Sequence, residues 1–198
     1  MARTTDPLIK ENLLDKCLDA TLEKGIAGFG LRKLAKQVGT SARMLIYHFG
    51  SAESLLMDMI REYSNREKKR FTGRMNERGK MSTVGEFIRF NWDTYQKDDR
   101  KKVLIVLIEI YARALRKREE HDAFFKDILF EWIELVEDIL TETYGFNHDD
   151  ANRWATLIIA VSRGLLLDWL GSEGTDRTEG AMAVFAGLAD NYRIIKSE

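Results

Sequence analysis

Hydrophobic positions recur at helical spacing along nearly the whole chain. The first stripe runs Ile9, Leu13, Leu14, Cys17, Leu18, Thr21 and Leu22, the rhythm of one helix face. Asp6-Pro7 supplies an N-cap acceptor and a proline at the first helical position, and Gly25 stands where a left-handed cap ends a helix. A second stripe, Leu31, Leu34, Ala35 and Val38, predicts a short helix over about 31–38. The pattern stops at Gly39-Thr40-Ser41 and restarts at once, with Ser41 placed to cap a third helix. On a wheel of that helix, Ala42, Leu45 and Phe49 gather on one side; Arg43, Met44, Ile46 and Tyr47 take the opposite arc, with His48 on its flank. A fourth helix opens at Ser51 and carries Leu55, Leu56, Met59, Ile60 and Tyr63; it turns basic beyond Asn65, with Gly73 and Gly79 as expected breaks.

Five further helices are expected near 83–96, 98–120, 122–144, 148–171 and 176–196. The single proline, Pro7, leaves long helices unobstructed. Sustained apolar/polar alternation and Asn-Gly or Asp-Gly turns are lacking, so the expected fold is all-α.

Composition adds a charge gradient. The 198 residues are 44% hydrophobic and 32% charged, enough apolar material for a sizeable core, and the net charge is −1. Residues 1–50 hold eight Lys/Arg against five Asp/Glu, and 61–80 hold eight against three, while 81–198 carry a net of −7. A basic N-terminal part on an acidic body points to a polyanion partner for the first part alone. The lone Cys17 excludes an internal disulfide framework. The longest apolar run, Val103–Ile108, is too short to span a bilayer and no charged-then-apolar leader opens the chain, so the expectation is a soluble, cytoplasmic protein with no membrane partner.

Two short helices joined by a glycine-containing turn suit a helix-turn-helix unit, over about 30–49, whose second helix enters the DNA major groove. Arg43 can pair with guanine O6 and N7, and Met44 or Ile46 can meet a thymine methyl. Tyr47 and His48 can hydrogen-bond phosphate oxygens, amides near Ser51 at the next helix start can hold another phosphate, and Arg32, Lys33 and Lys36 suit backbone contact. With Thr40, Ser41 and Ala42 at the turn, these residues form the expected DNA-reading surface. The rival reading is a tight helical corner whose apolar outer arc packs on the rest of the chain. The Gly25–Gly30 connector is no P-loop, because no strand precedes it and no Gly-Lys-Ser/Thr follows.

The stretch Leu8–Met59, which includes EKGIAGFGLRKLAKQVGTSARMLIYHFGSAESLL, resembles the DNA-binding domain of the TetR family of bacterial transcriptional regulators. It matches in the glycine ending the first helix, the Gly-x-Ser turn, the Leu-x-Tyr-His-Phe recognition helix and the Ser-x-Glu-x-Leu fourth helix. Two positions depart from the family: Ala52 where a phosphate-binding lysine is common, and Gly30 where Thr or Ser usually caps the second helix.

The resemblance implies about nine helices in two parts. Residues 1–52 would be a three-helix DNA-binding domain, and 53–198 an effector-binding and dimerisation domain. It implies a homodimer on a palindromic double-stranded operator, from which a small apolar or aromatic ligand releases a repressor. Trp92, Tyr95, Tyr111, Phe130 and Trp132 come from the helices that enclose ligands in the family. Trp154, Gly164, Leu165, Leu166, Phe185 and Leu188, on the last two helices, are the expected dimer interface, against an intramolecular core as the alternative.

Other classes fare worse on the residues. His48, His121 and His148 are far apart and form no His-x₃-His, His-Glu-x-x-His or Cys-paired metal motif, and no activated nucleophile is evident, so neither an enzyme nor a cofactor or metal is expected. A regulator whose C-terminal part answers to a protein partner, or an interaction bundle that binds no DNA, remains the alternative.

Overall fold

The computed structural model describes residues 7–25, 30–95, 98–116, 130–172 and 176–196. Among them lie nine helices and no strand: α1 (Pro7–Lys24), α2 (Leu31–Gln37), α3 (Ala42–Phe49), α4 (Ala52–Arg78), α5 (Val84–Tyr95), α6 (Asp98–Arg116), α7 (Glu131–Tyr144), α8 (His148–Gly171) and α9 (Asp176–Lys196). The expected helices over 98–120 and 122–144 extend into 117–129, which, with Asp6 and His121, lies outside the described residues.

The ends obey local chemistry. Gly25, Gly39, Gly50, Gly79 and Gly145 take left-handed backbone, and the Gly25 N–H donates to the Thr21 carbonyl at 2.9 Å, closing α1. Gly73 departs from expectation. It lies inside α4, which runs unbroken to Arg78, while Gly79 ends the helix with its N–H on the Met75 carbonyl at 3.0 Å. A glycine costs a helix interior only about 1 kcal/mol, and Phe71, 3% exposed, anchors the surrounding turns by burial.

The chain divides into two compact units, Met1–Arg74 with Lys102–Phe124, and Met75–Lys101 with Phe125–Glu198. In the first unit, Cys17 and Leu18 of α1, Leu34 and Ala35 of α2, Leu45 and Phe49 of α3, and Leu55, Leu56, Met59 and Ile60 of α4 form the core. Ion pairs tie α1 to α4. The Arg66 guanidinium donates to Asp15 at 2.6 Å, Asp19 at 2.7 Å and Glu62 at 3.1 Å. Partial burial works against its charge, but the bonds to Asp19, Asp15 and Glu62 outweigh it and hold the proton more firmly than usual.

In the second unit, α5 packs on α9, and α7 pairs with α8 across the short 145–147 link. The α5–α9 crossing is close because Gly85 lacks a side chain: its N–H donates to Asp190 at 2.6 Å, and a Cβ there would stand 2.7 Å from the Ala186 carbonyl oxygen. Asn147 caps α8 by accepting from the Asp150 N–H at 3.0 Å, and Tyr192 of α9 donates to the buried Asp150 at 3.0 Å. Among the described residues, α8 reaches a mean hydropathy of 1.3 over eighteen residues and is by length and composition the one helix long and apolar enough to cross a bilayer. Ala151, Trp154, Ala155, Ile158, Leu166 and Trp169 of that helix face the interior of this unit, while Leu157 and Leu167 are exposed.

Candidate nucleic-acid interface

The helix-turn-helix is built by short-range signals. Gly30, at φ −164° and ψ 142°, precedes α2 without a side-chain cap. That extended geometry suits any residue, so glycine is not required here. Gly39, at φ +73°, makes the turn, a conformation costly for a residue with a Cβ. Ser41 then starts α3, its hydroxyl accepting the Met44 N–H at 3.2 Å. At the next start, Ser51 Oγ accepts the Ser54 N–H at 3.0 Å.

The eight residues of α3 divide as the wheel requires, with one exception. Leu45 is fully buried and Phe49 is 6% exposed, while Met44, Ile46 and Tyr47 are 40%, 50% and 48% exposed. Arg43, Ser41 and Ser51 are exposed, as are Arg32, Lys33 and Lys36 of the preceding helix; Thr40 and Ala42 are half-buried. From Gly25 to Ala52 the chain holds these four cations and no Asp or Glu. The exposed charges of α2 and α3 are therefore all basic, beside a partly apolar arc.

His48 is the exception and a correction. Expected on the flank and in reach of phosphate, it is 8% exposed, with both ring nitrogens buried and without hydrogen-bond partners. It lies one helical step (i, i+3) from Leu45 and so falls on the core side of the arc, its ring edge-on to Tyr47 at 5.1 Å between centroids. It presents no nitrogen to a backbone. The Lys10 ammonium sits 5.4 Å from the Phe49 ring centroid and 3.5 Å from Asp58, so α1 holds both α3 and α4.

The expected ligand-lining aromatics divide between the two units. Trp92 and Tyr95 on α5, with Phe130 and Trp132 at the start of α7, belong to the second unit, and Tyr111 on α6 belongs to the first. Trp92 is 3% exposed, with its indole N–H buried and unpartnered; Phe130 is 50% exposed. An apolar cleft in the first unit, between α1, α4 and α6, involves none of them and is lined by Leu18, Leu22, Ile60, Tyr63, Val106 and Leu107 among others. Sequence reasoning missed it, because Val106 and Leu107 read only as part of one apolar run.

The expected dimer residues also divide. Trp154 and Leu166 are buried within the chain, and Trp154 packs on Phe185 and Tyr192 at 6.0 and 5.2 Å between ring centroids. They are core, which corrects their assignment to an interface. Phe185 shares that packing and is half-buried, as is Leu165, while Gly164 is exposed and Leu188 is 59% exposed. Exposed apolar residues not expected at the interface are Leu157 (46%), Leu167 (58%) and Val184 (66%), although Leu157 and Val184 fall on the apolar stripes of the sequence. Helical spacing would have found them, since 157, 160, 164 and 167 share one face of α8, and 184 and 188 share one of α9.

Elsewhere chemistry is sparse. Burial pushes the Cys17 thiol up to about 11. His148 Nδ1 lies 2.6 Å from Glu137, which also accepts from Asn152 at 3.0 Å. Among the described residues, no three His, Cys, Asp or Glu side chains group to hold a metal ion.

Among the described residues every regular element is a helix, and α2 and α3 form a helix-turn-helix in the N-terminal part of the chain. Residues 13–59 match the family of bacterial regulatory proteins, tetR family, so this segment is a TetR-family helix-turn-helix domain. No curated protein matches the chain. Among solved structures, a transcriptional regulator from Rhodococcus sp. Rha1 is 20% identical at a TM-score of 0.71, over 91% of this chain and 95% of that one. The multidrug binding protein EbrR, complexed with imidazole, is 23% identical at a TM-score of 0.69, over 96% and 94%. A protein from Saccharomonospora viridis in complex with choline is 15% identical at a TM-score of 0.67, over 92% and 95%. At these identities the likeness is one of fold.

Proposed function

We propose that the protein is a DNA-binding transcriptional regulator, a homodimer that holds a palindromic operator and is released by a small apolar or aromatic effector. The observation that carries this reading is the outer arc of α3. A helix buried through Leu45 and Phe49 exposes Arg43, Met44, Ile46 and Tyr47, in a stretch from Gly25 to Ala52 that holds three further cations and no acid and lies inside the family-matched segment. A corner meant to pack on the rest of the chain would bury that arc. In this reading Arg43, Met44 and Ile46 face base edges, and Tyr47, Ser51, Thr40, Ser41, Ala42, Arg32, Lys33 and Lys36 border phosphate.

Dimerisation follows from need, since a two-fold operator takes two heads about 34 Å apart or a multiple of that. The support within this chain is the exposed apolar face of Leu157, Gly164 and Leu167 on α8, with Val184 and Leu188 on α9. The effector part rests on the Trp92 N–H, an unpartnered donor inside the second unit, and on solved relatives of this fold complexed with imidazole and choline. Operator DNA as the partner implies work in the cytoplasm. Fluorescence anisotropy of the full-length protein on a labelled palindromic duplex tests the reading. Saturable binding that weakens steeply with salt supports it; unchanged anisotropy at low salt defeats it.

A further inference from the structure

The outer arc of α3 is described in full, and what it lacks is as specific as what it has. Four exposed side chains lie between its buried edges: Arg43, Met44, Ile46 and Tyr47. Among residues 42–49 there is no Asn or Gln, the side chains that pair with adenine N6 and N7, and no Asp or Glu to accept from cytosine N4. One guanidinium can take a guanine. Met44 and Ile46, 40% and 50% exposed, stand on the two borders of the arc and offer only apolar surface to the groove floor. The apolar feature of the major-groove floor is the C5-methyl of thymine. The same methyl, at the same place, is carried by 5-methylcytosine.

We infer that the α3 surface formed by Met44 and Ile46 reads C5-methyl groups, so that its A·T positions are recognised from the thymine side and 5-methylcytosine can stand in for thymine there. This rests on the DNA-binding reading proposed above and sharpens its ligand. A·T pairs contribute through methyl burial rather than through hydrogen bonds to adenine. Apolar side chains make no bond to thymine O4 or cytosine N4, so they discriminate weakly between thymine and a methylated cytosine. Occupancy of an operator would then respond to cytosine C5 methylation, which creates a contact where an unmodified cytosine has none.

The test uses the full-length protein and an operator selected from a random duplex library. That operator is remade with uracil for each half-site thymine, with 7-deazaadenine for each adenine, and with cytosine or 5-methylcytosine at the thymine positions. Expected are a several-fold loss with uracil, little change with 7-deazaadenine, and tighter binding to 5-methylcytosine than to cytosine. In Met44→Ala and Ile46→Ala, both at exposed positions, the thymine-to-uracil difference shrinks. Equal affinity for thymine and uracil operators, or a loss with 7-deazaadenine instead, overturns the inference and leaves the function standing. Failure to enrich any sequence overturns the function itself.

Discussion

At the scale of single residues, the head separates base reading from backbone holding. Arg43 is the one cation among the four exposed side chains of α3, beside Met44, Ile46 and Tyr47, and Arg32, Lys33 and Lys36 lie on the helix before it. Arg43→Ala is expected to cost about 1–3 kcal/mol on a selected operator and to relax preference at one base pair, whereas Lys36→Ala weakens all sequences alike and lowers the salt slope by about one contact. Binding isotherms on matched and mismatched duplexes at several salt concentrations distinguish the two. Ala52 gives the converse test: Ala52→Lys should restore a phosphate contact and steepen the salt dependence by about 0.9 in log–log slope. Cys17 is a buried hydrophobe whose thiol is pushed up to about 11 by burial alone. Raising an acid's titration point favours its neutral form, so thiolate is scarce at pH 8 in the folded chain and appears on unfolding. Alkylation of Cys17 should be slow in buffer and fast in denaturant.

Among the elements, helix boundaries were legible in the sequence because they are set locally. Glycines at 25, 39, 50, 79 and 145, serines at 41 and 51, and Asn147 act within one turn of themselves, and each shapes a turn or helix end where the chain pattern breaks. Gly73 misled because its helix is held by a distant cause, the burial of Phe71. The same limit explains His48, Trp154 and Leu166. Periodicity assigns a side chain to a face, but which neighbour covers that face is a tertiary fact. Gly85 shows this most sharply, because nothing in its local sequence announces the α5–α9 crossing. Gly85→Ala should destabilise the fold by about 1–3 kcal/mol, since the Ala186 carbonyl oxygen is backbone and cannot turn aside. Thermal unfolding with an α-helical circular-dichroism signal measures it. Gly30→Thr, by contrast, adds a missing cap at an unstrained position and should raise stability by a few tenths of a kcal/mol.

For the whole molecule, two reading heads require a face that pairs them. Leu157, Leu167, Val184 and Leu188 are the exposed large apolar residues among the described side chains of α8 and α9, and a stable two-fold interface needs about 800 Å² from each partner. Val184→Glu with Leu188→Glu should yield a monomer by light scattering and a large loss of operator affinity, with helix content retained because both side chains are already outside the core. Trp154→Ala should instead lower stability, since Trp154 packs on Phe185 and Tyr192 within the chain.

The central claim is that two copies of this chain read a palindromic DNA site through α3. Its most direct measurement is selection of duplexes from a random library by the full-length protein, followed by sequencing. The account predicts enrichment of an inverted repeat whose half-sites lie about 34 Å apart or a multiple of that, lost with Arg43→Ala. Binding without sequence preference, or enrichment that Arg43→Ala leaves intact, would contradict it.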